Sequence, residues 1–427
     1  MRFNTLDEWL DWQSTLHPKE IELGLDRVSR VWRNLHPGAF RAALITIAGT
    51  NGKGSCAALL ESIYRQAGYQ VGSYTSPHLR RYNERVRLNG VNVTDEALCR
   101  AFDRIDQARD DVPLTYFEFG TLAALLLFAE ADLDVLILEV GLGGRLDAVN
   151  IVDPDVALIT TVDLDHCDWL GSDRQQIGRE KAGIMRPLRP VVLGDPQMPE
   201  SVLSHARSIR AGVYLAGREF HADAALQGWV WFQGRSSGIR LPDSNLQGKG
   251  QRYNASAVVM VTRLLQDRLP LTWDQLAEGL RRVSLPGRLQ LIPGSPSLLL
   301  DVAHNPQAVD ILTHHLKQLN WSGRVFAVAG LLQDKDARDI LTRVAPQVER
   351  WFLVDLTGSR GRDAGQLARV LAEIGAAGEV SCHADVTDAW HAAHAAATVD
   401  DLLLIFGSFL IVGAALELWD SAPQGKP

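Results

Sequence analysis

Short unbroken apolar runs punctuate the chain, each closed by Gly or Asp and followed by a segment of helical character. In the first two thirds they are "ALITIAG" (43–49), "DVLILEVG" (134–141), "DVALITTVD" (155–163) and "RPVVLGD" (189–195). A strand covered on both faces reads as continuously apolar, and strand–helix alternation predicts a parallel α/β sheet. The pattern restarts with "SLLLDVAHNP" (297–306), "RVFAVAG" (324–330), "RWFLVDL" (350–356) and "DLLLIFGS" (401–408), so a second α/β unit is the economical reading. Between them, residues 215–250 are mixed and rich in Gly, Ser and Gln, and "LPGRLQLIPGSPS" (285–297) concentrates Pro and Gly. Such punctuation places the hinge there and divides the chain into 1–287 and 288–427. No internal repeat interrupts this scheme, and the polar tail "SAPQGKP" (421–427) is expected to fray.

The totals agree with two domains. At 427 residues, 46% of them apolar and 22% charged, the chain has the profile of a soluble globular protein. A net charge of −8 supplies no basic field for nucleic acid or an anionic membrane, so an anionic ligand must be met by local groups. Cys56, Cys99, Cys167 and Cys382 lie far apart with no Cys-x-x-Cys spacing, which fits reduced thiols in a cytoplasm better than a zinc ribbon or a secreted disulfide framework. Acids at Asp7 and Glu8 break the layout of a signal peptide. The longest uncharged apolar stretch, 402–416, falls short of the ~18 residues that suggest a membrane span and is broken by Gly407 and Ser408.

Candidate chemistry begins at "GTNGKGS" (49–55). Glycines at 49, 52 and 54 let backbone N–H groups converge, and the helix that follows adds the positive end of its dipole, making an anion cradle. Lys53 can reach the β- and γ-phosphates of a nucleotide, and Ser55 can face a magnesium ion. The spacing departs from G-x-x-x-x-G-K-[ST], because Ile47 takes the first glycine position and Gly54 separates Lys53 from Ser55. A plain glycine turn with a solvated lysine is the competing reading.

Magnesium favours hard oxygen donors and keeps several waters. Ser76, Glu139 and His166 all stand just beyond strand-like runs, where ligands bind in open α/β sheets. A carboxylate after four apolar residues, as Glu139 is, calls for a metal or a partner if buried. By spacing alone His166 is more often an ordinary structural residue than a ligand, and Lys181 reads as a surface lysine paired with Glu180. "GLGG" (141–144) invites a dinucleotide fingerprint, but Leu146 stands where its last glycine belongs.

The phosphate loop resembles that of the Mur ligase superfamily. "SPHL", "NERV", "TYFE", "LEVGLGGRLDAVN", "DHCDWLG" and "GREKAGI" resemble consecutive motifs of its dihydrofolate synthase/folylpolyglutamate synthase family, and the match runs through nearly the whole chain. The resemblance implies an N-terminal P-loop ATPase domain with a mainly parallel sheet and a C-terminal Rossmann-like α/β domain. It implies ATP, bound at Thr50, Asn51, Gly52, Lys53, Gly54 and Ser55, and two magnesium sites held by Ser76, Glu139, His166 and Lys181. Lys181 matches the family's carbamoylated lysine, and carbamoylation requires surroundings that lower an amine's pKa. A pteroate pocket is implied at "IELG" with Leu23 and Gly24, at Thr115 and at Leu146. Asn254, Arg288 and Asp301 correspond to adenine, phosphate and ribose contacts, although Gly250 precedes Gln251 where many relatives have histidine. His304 stands near the incoming glutamate, followed by Asn305 to cap a helix and Pro306 at its first position.

The implied reaction joins L-glutamate to dihydropteroate and further glutamates to tetrahydrofolate through an acyl phosphate, with domain closure excluding water. A monomer is expected. The segment "LRRYNERVRLNG", with Arg80, Arg81, Arg85 and Arg87 against Glu84, suits the carboxylates of a glutamate chain, or is simply a solvated basic loop. Rival readings are a cell-wall Mur ligase and a P-loop NTPase binding module.

Overall fold

A computed structural model describes residues 1–36, 38–358 and 360–421; of the tail expected to fray, Ser421 ends the last helix and residues 422–427 lie outside this range. The chain divides into two compact units, one formed by Met1–Asn245 with Gln251–Ser284 and the other by Leu246–Gly250 with Leu285 onward.

The first unit is built on an eight-stranded sheet. Its strands are β1 (Ala43–Ala48), β2 (Val71–Tyr74), β3 (Val86–Leu88), β4 (Val91–Asn92), β5 (Val135–Glu139), β6 (Val156–Ile159), β7 (Pro190–Leu193) and β8 (Gly212–Leu215). They run in the order β4-β3-β2-β5-β1-β6-β7-β8. The strands from β2 to β8 in that order pair in parallel, while β3 and β4 form an antiparallel edge. Every residue of β1, β5 and β6 is buried, which is why these strands carry unbroken apolar runs. The order puts the carboxyl ends of β2, β5, β1 and β6 in one row.

Residues 215–250, read from composition as a connecting stretch, instead contain an antiparallel sheet of β9 (Phe220–Ala224), β10 (Trp229–Gln233) and β11 (Ile239–Leu241). Phe220, Trp229 and Trp231 are buried, and the Trp229 indole donates to the Pro242 carbonyl at 2.8 Å. Two large indoles supply enough apolar area to order a segment otherwise rich in loop formers. The helix Trp273–Arg282, opened by the capping box of Thr272 and Gln275, packs on the helix Lys53–Gln66. Their backbones approach so closely that a Cβ on Gly279 would lie 2.5 Å from Ile63 Cα.

In the second unit β12 (Gln290–Ile292), β13 (Ser297–Asp301), β14 (Val325–Ala329), β15 (Arg350–Val354), β16 (Glu379–His383) and β17 (Leu402–Phe406) lie in the order β12-β13-β17-β14-β15-β16. All pairs are parallel except that of β12. The long apolar stretch at 402–416 resolves into β17, a turn at Gly407 with φ of 108°, and the helix Phe409–Ser421. Among the described residues no helix is long and apolar enough to cross a membrane.

The N-terminal helix Leu6–Leu16 turns Leu6, Trp9 and Gln13 inward. Gln13 is 1% exposed and neither its amide nitrogen nor its amide oxygen has a hydrogen-bond partner. A buried, unsatisfied amide costs about 1–3 kcal/mol. Gln13→Leu is therefore expected to raise the urea midpoint by roughly 1 kcal/mol of stability at unchanged m-value; a lowered midpoint would show the amide to be engaged.

Candidate active site

The loop after β1 is fitted tightly to its neighbours. Gly49 has φ of 155°, and a Cβ there would meet the Thr160 Oγ1 at 1.8 Å; Gly52 is left-handed at φ 88° and caps the helix Lys53–Gln66 without a side chain. Both positions admit glycine for steric reasons. From the end of β6, Thr160 Oγ1 donates to the Asn51 carbonyl at 2.6 Å and the Thr161 carbonyl accepts from Thr50 N at 2.8 Å. Thr50 Oγ1 donates to the Asp163 carbonyl at 3.1 Å. Lys53 folds back over the turn, with Nζ 3.0 Å from the Gly49 carbonyl and 3.4 Å from that of Thr50. Backbone N–H groups at the helix start and this ammonium thus face one region, as an anion cradle requires.

Glu139, the last residue of β5, is only 4% exposed. Its Oε2 accepts from Ser76 N at 3.2 Å, and a Cβ on Gly54 would come within 3.8 Å of the same oxygen. Ser76, Glu139 and the loop are therefore brought together. Among the described residues there is no group of three or more His, Cys, Asp and Glu side chains placed to hold a metal by themselves. The donor set is instead one buried carboxylate beside a hydroxyl and a phosphate cradle, which fits magnesium that keeps waters and takes its other oxygens from phosphate. His166 adopts a left-handed conformation at φ 51° at the start of the short helix Cys167–Leu170, with its backbone N held by Asp165 Oδ1 at 2.9 Å.

Lys181 lies on the helix Arg174–Ala182 and is 3% exposed. Burial, reinforced by the charge of Lys53, pushes its amine down to about 7, while Asp165 and Asp147 oppose the shift. Lys53 and Lys181 thus share one electrostatic neighbourhood. Asp147, passed over in the sequence, belongs to it too: burial pushes its carboxyl up to about 6, against the N–H groups of Leu142 and Val149, both at 2.9 Å, and the charge of Lys53. Its signal was an acid set between Leu146 and the Ala148–Val149 pair in "GGRLDAVN".

The pteroate candidates also converge in part, since Gly24 N donates to the Leu146 carbonyl at 3.2 Å; Leu23 is half-buried. Thr115 is buried as the N-cap of the helix Tyr116–Glu130, in a capping box with Glu118, whose carboxylate also receives Arg27 at 3.1 Å. The basic loop is less available than its composition suggests. Arg81 pairs with Asp95 at 3.3 Å and Arg87 with Glu61 at 2.7 Å, while Glu84 accepts from the backbone N of Leu79, Arg80 and Arg81. Arg85 Nε donates to His78 Nδ1 at 2.9 Å and its guanidinium faces the Tyr82 and Tyr116 rings. Burial and Arg85 push His78 down to about 4, so it is neutral at pH 7.

Asn254 sits in the first turn of the helix Gln251–Leu264, with Oδ1 2.6 Å from where a Cβ on Gly52 would stand. In the second unit Asp301, at the end of β13, is buried and accepts from Leu289 N at 2.8 Å and Ala303 N at 2.7 Å. Burial raises its pKa and Arg288 opposes the rise. His304 Nδ1 contacts the Val302 carbonyl at 2.8 Å, Arg288 lies over the Phe409 ring, and Asn305 caps the helix Pro306–Leu319.

Comparison with known proteins covers both units. The "Mur ligase middle domain" family matches residues 47–262 and the "Mur ligase, glutamate ligase domain" family matches 287–409. A dihydrofolate synthase/folylpolyglutamate synthase of Escherichia coli is 42% identical over 422 residues, 98% of this chain and 97% of that one. Among solved structures, E. coli FolC in complex with DHPP and ADP superposes with a TM-score of 0.90 at 42% identity, covering 98% of each chain. A bifunctional folylpolyglutamate synthase/dihydrofolate synthase with Mn, AMPPNP and L-glutamate bound gives a TM-score of 0.89, also at 42% identity and 98% coverage of each.

Proposed function

The chain belongs to the dihydrofolate synthase/folylpolyglutamate synthase family of Mur ligases, and on that footing we propose that it forms amide bonds between pteroyl carboxylates and L-glutamate at the expense of ATP. Its substrates are dihydropteroate, giving dihydrofolate, and tetrahydrofolate, which it extends with further glutamates. The observation that carries the reading within the site is the glycine cradle with Lys53 across it and the buried Glu139 carboxylate at its edge.

A carboxylate is a poor acyl donor in water and must first be activated. The substrate's carboxylate oxygen attacks the γ-phosphorus of ATP, the bond to the bridging oxygen breaks, and ADP leaves. The glutamate amine then attacks the acyl carbon, phosphate departs from the tetrahedral intermediate, and the amine loses its proton. Lys53 and the loop N–H groups hold the phosphates in line and offset charge on the transferring group. Magnesium, when bound, adds positive charge at those oxygens. Ser76, Glu139, His166 and a carbamoylated Lys181 are the groups proposed to hold it at two sites, and the depressed pKa of Lys181 supplies the neutral amine that carbamoylation needs. Thr50, Asn51, Gly52, Gly54, Ser55 and Asn254 are assigned to the nucleotide, as are Arg288 and Asp301 of the second unit. His304 is assigned to the incoming glutamate, and Leu23, Gly24, Thr115 and Leu146 to the pteridine substrate. The four free cysteines, Cys56, Cys99, Cys167 and Cys382, fit a reducing cytoplasm.

Phosphate release should require dihydropteroate or tetrahydrofolate, with product formed only when L-glutamate is added. Release indifferent to all three would point to an NTPase module, and a response only to a nucleotide-linked peptide to a cell-wall ligase.

A further inference from the structure

We propose that Gln251 is a positioning residue of the phosphate loop, whose side-chain amide sets the orientation of the Ser55 hydroxyl toward the nucleotide. This rests on the loop being the nucleotide cradle. Gln251 opens the helix Gln251–Leu264, and its Nε2 donates to Ser55 Oγ at 3.3 Å. Its Oε1 accepts from Asn254 Nδ2 at 3.1 Å. The second contact decides the polarity of the first. With Oε1 committed to Asn254, only the NH₂ group can face Ser55, so the serine is the acceptor. A hydroxyl has one hydrogen and two acceptor positions. Gln251 occupies one acceptor, which leaves the hydrogen and the other lone pair of buried Ser55 for the cradle. If the amide were turned over, its oxygen would capture that hydrogen. Asn254 lies close over the loop, its Oδ1 2.6 Å from where a Cβ on Gly52 would stand and its carbonyl 3.9 Å from Cys56 Sγ. Gln251, Asn254, Gly52 and Ser55 therefore form a clasp in which a residue remote in sequence governs a loop hydroxyl.

The test is a double-mutant cycle on the full chain, reading the Kd of ADP with Mg²⁺ by calorimetry. Gln251→Ala and the length-preserving Gln251→Met should each weaken ADP by about 5–10-fold, the worth of one hydrogen bond at a charged site. Gln251→Glu, which can only accept and adds a negative charge, should lose more. Dihydropteroate affinity should stay at its wild-type value. In a Ser55→Ala background the Gln251→Ala change should shift ADP affinity by less than about 2-fold, because the hydroxyl it orients is gone. Losses that multiply across the cycle, an unchanged ADP affinity in Gln251→Ala, or equal weakening of ADP and dihydropteroate would each overturn the assignment while leaving the cradle intact. Failure of the wild-type chain to bind ADP would remove the cradle and this role together.

Discussion

Lys53→Ala will lower kcat/KM for amide formation by about 10²–10³-fold while the protein remains folded, as judged by an unchanged Tm and circular dichroism. The loss of one preorganised charged donor from a transition state commonly costs about 10²–10³-fold, and Lys53 is the cation lying across the Gly49–Thr50 turn at 3.0 Å. The chain fold does not depend on it, because the loop is held by Thr160, Thr161 and Asp163 through their own hydrogen bonds. Lys53→Arg should not rescue, since a planar guanidinium cannot stand in for a compact ammonium between loop carbonyls. Substantial amide synthesis by a folded Lys53→Ala protein would end the assignment of this residue.

Lys181→Met is expected to separate function from stability. Activity should fall by about 10²-fold or more if the side chain carries a metal-binding carbamate, an effect comparable to removing a key electrostatic group. In a buffer free of carbon dioxide and divalent ions, the same change should raise Tm by a few degrees at pH 7, because it removes the cost of burying an amine. The pH dependence gives an independent check. A folded-state value of about 7 lies below the ordinary lysine value of 10.5, so between those limits the unfolded chain holds a proton that the folded chain does not. Wild-type stability from this group therefore rises with pH across that window, and below it the full penalty applies. Lys181→Met should flatten that rise. A parallel pH profile in both proteins, or a lower Tm in the variant, would show that the amine is not held in a depressed state.

How far the sequence could be read differed from place to place, for local reasons. The runs that became β1, β5, β6, β7, β13, β14, β15 and β17 were legible because strands buried on both faces must be apolar throughout. The Asn305–Pro306 helix start was equally plain, its cap and first-turn proline being neighbours in the chain. Short elements such as β4 and β16 at the sheet edges escaped notice, since an exposed strand of few residues has no apolar run to announce it, and β3, three residues long with Arg87 at its centre, is too short to show one. The sheet from β9 to β11 hid behind its glycines and serines, its order coming from Trp229 and Trp231 packed inside. Likewise Arg81 and Arg87 read as part of a cationic loop, yet their acidic partners Asp95 and Glu61 lie on other elements.

By itself, then, the chain determined the chemistry available at its strand ends, a glycine turn with one lysine and a carboxylate after four apolar residues, and the lysine of "GREKAGI". Only the tertiary structure decided that these ends stand in one row, through the strand order β2-β5-β1-β6. It alone buried Lys181 near Lys53 and Asp147, and set Gln251 against Ser55. The reason is one of range. Turn geometry, capping and strand apolarity are settled between neighbouring residues, whereas desolvation and side-chain pairing across nearly two hundred residues depend on long-range packing that no local pattern records.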